Sequence, residues 1–215
     1  MTARTSARLV AVYADESCLG NGRDGDNPGG AGGVIEVRRQ PGGELTRRDY
    51  WVSEPSTTNN RMALRSAIHA FEILSRFKEP PDVVFTSDSR YLVDGMSAWV
   101  RDWIRRGWRR KSGSIENLAL WQQLVAAARG YRTEWRWVRG HVGHAQNEYA
   151  NHLAMRAARE QTQALDPVPS AFEAWLSALE ARAGRGGVIT PAPFPDRRGF
   201  RPAPPLPPEV ATSLF

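Results

Sequence analysis

The chain has 215 residues, with 41% hydrophobic and 24% charged side chains, so it is long enough for one globular domain and some further sequence. Lysine and arginine number 29 against 23 acids, and the resulting formal charge of +6 favours an anionic partner such as nucleic acid or a membrane surface. The single cysteine excludes an intrachain disulfide and indicates a reducing compartment. No signal-peptide pattern and no run near the roughly 20 apolar residues of a membrane helix occur, so we expect a soluble, cytoplasmic protein.

The first predicted element is a strand at residues 9–15, LVAVYAD, which ends in an acid. The two-residue period of a strand places Asp15 and Tyr13 on one face and turns Glu16 toward the opposite face. The glycines at 29, 30, 32 and 33 lack the spacing of a phosphate-binding fingerprint and are read as a flexible loop between strands. The segments GVIEVRR and RDYWVSE then predict two further strands of an antiparallel meander.

Helical periodicity begins after TTNN, where Leu64, Ile68 and Phe71 share one face. Pro80 and Pro81 end this helix and lead into the strand DVVFTSD, residues 82–88, which also finishes in an acid. Helices, a strand at residues 133–138, a loop and a last helix follow. The order predicts an α/β fold with a mixed five-stranded sheet, three strands antiparallel and two parallel, flanked by helices.

Composition changes near residue 161, because ten of the 15 prolines lie beyond it. We therefore place one domain at residues 1–161 and a proline-rich C-terminal extension at residues 162–215. One helix is predicted at about residues 170–183. The rest of the extension reads as linker or disorder, and its protein partner, if it has one, is not identified by the sequence.

Asp15 and Asp88 each end a predicted strand. An acid at this position is often only a turn former, but two of them on neighbouring strands meet at the carboxyl edge of a sheet, where ligands bind. Adjacent carboxylates repel each other, and an oxygen-binding divalent cation relieves that repulsion. Metal binding and turn formation both remain open for this pair.

His141 and His144 lie in the segment GHVGH. They suit a polar loop before a helix, a transition-metal site, or a mobile proton shuttle beside a metal, and spacing alone does not decide among these.

The segment RDWIRRGWRRK, residues 101–111, holds six basic residues, one acid and two tryptophans. A solvated helix usually mixes its charges more evenly. Arginines interleaved with indoles favour phosphate contact combined with stacking, so this segment is predicted to bind nucleic acid.

Taken together, these segments resemble the type 1 ribonuclease H family over residues 8 to about 160. The resemblance rests on YADESCLGN, the GGAGG turn, TTNNRM with its helix, TSDSRYLVDG, WIRRGW, NLALWQQL and WVRGHVGHAQNEYANHLA, which occur in the family's order. It implies a two-metal endonuclease that cleaves the RNA strand of RNA–DNA hybrids, with Mg²⁺ as the cofactor and Mn²⁺ as a possible substitute.

The resemblance also implies residue roles. Asp15 would bridge both ions, Asp88 would hold one, and His141 would be the mobile histidine that assists proton transfer or product release. Asn21, Asn59 and Asn60 resemble the amides that contact RNA 2′-hydroxyls. Contacts to the DNA strand are implied for Thr58, Trp99 and Asn117. The basic handle would include Arg105, Arg106, Trp108 and Arg109.

Two of the family's four acids are replaced in this chain. Ala63 stands where the helix acid is expected, and Asn151 stands where the last acid is expected. Asn151 can still offer a carbonyl oxygen to a metal ion, whereas Ala63 offers no ligand. Compensating acids could come from Glu16, despite its opposite strand face, or from Asp24, Asp26 and Glu148.

We therefore expect an RNA–DNA hybrid endonuclease, acting as a monomer, with weakened or altered activity. The alternative hypothesis is a hybrid-binding protein that has kept the recognition residues and lost catalysis.

Overall fold

The computed structural model describes residues 8–20, 27–38, 42–140, 142–183 and 189–208. Six strands form one sheet: β1 Leu9–Cys18, β2 Gly29–Arg38, β3 Leu45–Glu54, β4 Asp82–Ser87, β5 Arg132–Trp137 and β6 Ala164–Pro169. Their order across the sheet is β5-β4-β1-β2-β3-β6. β1, β2, β3 and β6 pair antiparallel, while β4 is parallel to both β1 and β5. The predicted mixed α/β sheet is confirmed.

The helices are α1 Asn59–Leu74, α2 Arg90–Asp94, α3 Val100–Arg105, α4 Leu118–Ala128, α5 Ala145–Glu160 and α6 Phe172–Ala183, with a π-helical turn, Gly95–Trp99, between α2 and α3. No helix within the described ranges combines the length and the apolarity needed to cross a membrane.

The two faces of β1 pack against different helices. Val10, Val12 and Ala14 join the large core formed with α1 and α4. Ala11 and Tyr13 face the other way and join a smaller core with α5 and α6. The strand is therefore buried on both faces, as central strands of α/β sheets are.

The glycines of the GGAGG segment lie in β2, so their interpretation as a flexible loop is wrong. A Cβ atom on Gly32 would stand 2.5 Å from Leu153 Cβ and 2.8 Å from Ala150 O. A Cβ atom on Gly30 would stand 2.3 Å from Ala154 O. Glycine is required at both positions because the backbone of α5 lies directly against this strand.

The sheet has six strands instead of the predicted five because the extension contributes β6 at the free edge of β3. Proline is compatible with an edge strand, which needs N–H donors on one side only. At the opposite edge, Ala203 N donates to Thr133 O of β5 at 2.8 Å. The described part of the extension thus packs against both edges of the sheet. The sequence predicted one helix in this extension and linker or disorder for the rest of it.

Candidate active site

Three carboxylates meet at the carboxyl edge of the two central parallel strands. The pairing of β1 with β4 ends at Ala14 and Ser87, so Asp15 and Asp88 follow directly beyond the last pair. One carboxylate oxygen each from Asp15, Glu16 and Asp88 lies within 4.8 Å of the others. Three acidic oxygen donors so close together are the ligand type that Mg²⁺ and Mn²⁺ prefer.

Glu16 belongs to this cluster although the strand period turns it away from Asp15. Glu16 is one of the acids that the sequence offers as compensation for Ala63 and Asn151, and its carboxylate lies near the other two. Glu16 still pairs with Ala31 of β2, but it lies beyond the last residue of β1 that pairs with β4. Beyond that last pair, the glutamate side chain comes close to Asp88 and to the hydroxyl of Ser89.

Burial and the repulsion of neighbouring carboxylates oppose ionisation of Asp15 and Glu16. Burial, followed by the charge of Asp88, raises the pKa of Asp15 to about 8, although hydrogen bonds from Glu16 N–H and Asn147 act against the rise. Burial and the charges of Asp15 and Asp88 likewise raise the pKa of Glu16 well above its ordinary value. A divalent cation bound between the carboxylates would remove most of this repulsion, so the residues fit such an ion.

Hydrogen bonds fix the orientation of the Asp15 carboxylate. Glu16 N donates to Asp15 Oδ1 at 2.7 Å, and Asn147 Nδ2 donates to Asp15 Oδ2 at 3.2 Å. Asn147 is buried in α5 and was not predicted from sequence; its position four residues before Asn151 was the available signal. The half-buried Asn151 lies one turn further along the same face of α5.

Asp88 is enclosed by the end of β5 and the loop that follows it. Trp137 Nε1 donates to the carbonyl oxygen of Asp88 at 2.9 Å. A Cβ atom on Gly140 would stand 2.3 Å from Asp88 Oδ2, so the loop backbone lies against this carboxylate. Only glycine at position 140 lets the carboxylate keep this place.

Ala63 lies in the large apolar core and is 1% exposed. It packs in the same cluster as Ala14, on the α1 side of the sheet. By strand parity Glu16 leaves β1 on this side, two residues after Ala14. A carboxylate on β1 thus approaches the cluster from the side on which α1 carries alanine.

Four candidate residues fall outside the described ranges, namely His141, Asn21, Asp24 and Asp26. His144 is the N-cap of α5, and its ring nitrogen Nδ1 accepts from Asn147 N at 3.4 Å. Glu148 accepts from Gly143 N at 3.4 Å, and its charge contributes to the raised pKa of Asp15.

The polar residues at the start of α1 lie on the surface or close to it. Thr58 is the exposed N-cap, and its hydroxyl accepts from Arg61 N at 3.3 Å. Asn59 and Asn60 are half-buried, and Asn59 Oδ1 has no hydrogen-bond partner within the described part of the chain.

The predicted basic handle lies at the end of α3 and in the turn after it. Trp99 is 39% exposed and packs edge-on against Tyr91. Arg105 and Arg106 are exposed and face Asp102, Arg109 is exposed, and Trp108 is half-buried with a left-handed backbone. Asn117, also left-handed, precedes α4 and donates to Tyr91 Oη at 3.4 Å.

A mixed sheet with clustered acids at the carboxyl ends of its central strands defines the class of α/β proteins that bind divalent cations through carboxylates. The family model "RNase H" matches residues 7–159. The ribonuclease H of Shewanella amazonensis is 42% identical over 160 residues, which cover 74% of this chain and 94% of that protein. The ribonuclease H of Klebsiella pneumoniae is 38% identical over 157 residues, covering 73% and 93%. The chain belongs to the ribonuclease H family.

Among solved structures, the crystal structure of LC9-RNase H1 is similar to this chain at 58% identity with a TM-score of 0.89. The match covers 97% of this chain and 98% of that one, so it includes the C-terminal extension. The LC9 protein is described as a type 1 RNase H with the type 2 active-site motif. The RNase H domain of prototype foamy virus, at 15% identity and a TM-score of 0.59, shares the fold.

Proposed function

We propose that this protein is an endonuclease that hydrolyses the RNA strand of RNA–DNA hybrids with the help of two divalent metal ions. The observation that carries the proposal is the place of Glu16, whose carboxylate lies within 4.8 Å of those of Asp15 and Asp88. It supplies a third carboxylate to a site whose helix acid is replaced by Ala63. The family relatives named ribonuclease H and the atypical motif described for the LC9 protein support this assignment.

In this proposal Asp15, Glu16 and Asp88 hold the ions, and Asn151 contributes its carbonyl oxygen. Mg²⁺ is the proposed ion, and Mn²⁺ is a possible substitute because it accepts the same oxygen donors. When bound, the two ions would activate a water and stabilise the 3′ oxygen that leaves. Hydrolysis adds that water to the phosphorus and breaks the bond to the 3′ oxygen.

The chain's own groups orient the acids and move protons. Asn147 and Glu16 N–H hold the two oxygens of Asp15, while Trp137 holds the backbone of Asp88. His141 is proposed to deliver a proton to the leaving 3′ oxygen or to assist product release.

Hybrid recognition is proposed for the residues that the family resemblance identifies. Asn21, Asn59 and Asn60 would contact 2′-hydroxyls, which only the RNA strand carries. Thr58, Trp99 and Asn117 would contact the DNA strand, and Arg105, Arg106, Trp108 and Arg109 would add affinity through phosphates and stacking. All of these come from one chain, so we propose that a monomer is active.

Cleavage of a labelled RNA–DNA hybrid in Mg²⁺ and in Mn²⁺ tests the proposal. The unmodified chain should cut the RNA strand, and Asp15→Asn and Glu16→Gln should each lower kcat by at least about 100-fold. Glu79→Gln is the matched control, because it removes one charge from an exposed acid in the loop between α1 and β4.

The replacement of two acids by Ala63 and Asn151 favours the second candidate, a protein that binds hybrids without cutting them. Ala63→Glu and Asn151→Asp separate the two. If the unmodified chain is inactive and only these restored variants cut, the protein as it stands is a hybrid-binding protein. If Glu16→Gln cuts as fast as the unmodified chain, Glu16 is not a metal ligand.

A further inference from the structure

Arg90 is an exposed cation two residues after Asp88, at the first position of α2. Its guanidinium carbon lies 3.9 Å from the centroid of the Trp137 ring, the shortest such distance among the described cation–π pairs. The guanidinium group therefore lies over the face of an indole next to the acid cluster.

Trp137 joins this arginine to the candidate active site. It is the last residue of β5, is 39% exposed, and donates its indole N–H to the carbonyl oxygen of Asp88. The ring edge thus fixes the backbone of Asp88, and the ring face carries Arg90. Through these two contacts, Trp137 positions the guanidinium group of Arg90 relative to Asp88.

Arg90 makes no ion pair with a carboxylate within the described ranges, whereas Arg47, Arg61, Arg65, Arg132 and Arg197 do. An arginine that reached the acid cluster would compete there with divalent cations. Stacking on the indole leaves the N–H groups at the rim of the guanidinium available, and these groups suit bidentate contact with a phosphate.

We infer that Arg90 binds a backbone phosphate of the nucleic acid on the β5 side of Asp88, and that Trp137 is the positioning residue for this contact. The inference rests on the proposed function, since it takes the acid cluster as the place where the strand is cut. It adds a phosphate contact at the rim of the cluster, separate from the basic handle after α3.

Hybrid binding as a function of salt tests the contact directly. In an Asp15→Asn background, which prevents cleavage, Arg90→Gln should weaken binding about tenfold. It should also lower the slope of log affinity against log salt by about one, as expected for one lost phosphate contact. Arg90→Lys should retain the slope and part of the affinity, because it keeps the charge and loses the bidentate geometry.

Trp137→Leu tests the positioning role. It should weaken binding as much as Arg90→Gln, and the double variant should be no weaker than either single one, because both remove the same contact. In steady-state cleavage by the otherwise unmodified chain, Arg90→Gln should raise KM and leave kcat within about twofold.

Arg76→Gln is the matched control, because Arg76 is exposed just beyond the far end of α1 and faces Asp166. An Arg90→Gln variant whose affinity and salt slope equal those of this control overturns the inference, as does additive weakening in the double variant. Absence of cleavage by the unmodified chain would instead contradict the proposed function, because the binding measurements do not depend on cleavage.

Discussion

This molecule has two groups of buried or partly buried acids, one at the candidate active site and one that stabilises the fold. Asp15, Glu16 and Asp88 form the acid cluster at the carboxyl edge of β1 and β4. Glu36 on β2 and Asp49 on β3 form what we call the structural pair, which is covered by α5 and the extension. Burial raises the pKa of acids in both groups, and it is the largest cause in each.

The groups differ in what surrounds each carboxylate. Arg47 Nε donates to Glu36 Oε1 at 2.7 Å, and the hydroxyl of Tyr149 and the N–H of Ala171 donate to Asp49 Oδ2. Next to Asp15, the largest charge effect comes from another acid, Asp88. Within the described ranges, no arginine or lysine makes an ion pair with Asp15 or Glu16.

The charges around each buried carboxylate thus distinguish an acid of the candidate active site from an acid of the fold. Each acid of the structural pair has donors from the chain to one of its carboxylate oxygens, whereas the acid cluster keeps a repulsion that a bound cation would relieve. Such a cluster lowers the stability of the metal-free protein, as functional sites often do.

Removing the extension should lower the stability of the protein more than any other change, because residues of the extension pack over the structural pair. A chain ending at residue 161 loses the buried Phe172 and the partly buried Trp175 and Leu176 from the smaller core, and full burial of one apolar side chain contributes roughly 1.5–3 kcal/mol. The sum is comparable to the whole stability of a domain, about 5–15 kcal/mol, so the fragment should not unfold cooperatively in thermal melts. A fragment as stable as the full chain would show that residues 1–161 form an independent domain.

Arg47→Met should destabilise the protein by about 3–5 kcal/mol, because it leaves the buried Glu36 without its cation. Urea unfolding measures the loss. Arg48→Met is the matched control, since Arg48 is the exposed neighbour on β3 and should cost less than about 0.5 kcal/mol. Equal losses of stability in the two variants would show that the buried Glu36 does not depend on the charge of Arg47.

Gly140→Ala should lower kcat about 100-fold with little change in melting temperature, because the new methyl group displaces the Asp88 carboxylate. Gly130→Ala provides the control, since a Cβ atom there meets nothing within 4 Å. Full activity of Gly140→Ala would mean that the place of this carboxylate is not critical.

Asp15→Asn should stabilise the metal-free protein by up to about 5 kcal/mol at pH 8, because each unit of the pKa difference is worth ~1.4 kcal/mol, while it abolishes cleavage. The pKa of Asp15 is about 8 in the folded protein and about 3.9 when unfolded, so its contribution to stability is present below pH 4 and is lost as the pH rises to 8. Denaturant midpoints measured in EDTA from pH 4 to 9 should therefore fall more steeply for the unmodified chain than for Asp15→Asn. Parallel curves would contradict the raised pKa.

The strands β1 to β5, the acids that follow the apolar runs of β1 and β4, and the helical segments around them follow from local patterns. Strand period, helical periodicity and the prolines at 80 and 81 act within a few residues, so the sequence shows them. The glycines of β2 were misread because their reason lies in α5, more than a hundred residues later. In the extension the predicted helix is present as α6, whereas β6 and the contact of Ala203 with β5 depend on partners that proline content does not indicate.

Sequence alone determined that an acid follows the apolar run of β1 and of β4, that residue 63 in α1 carries no charge, and that a basic segment begins in α3 and continues beyond it. Tertiary structure alone decided that Glu16 joins the cluster, because its reach depends on where the pairing of β1 with β4 stops. It also placed Asn147, Trp137 and Gly140 around the acids. Periodicity gives the face of the strand on which a side chain lies. The position at which β1 stops pairing with β4 decides which groups the long side chain of Glu16 can contact.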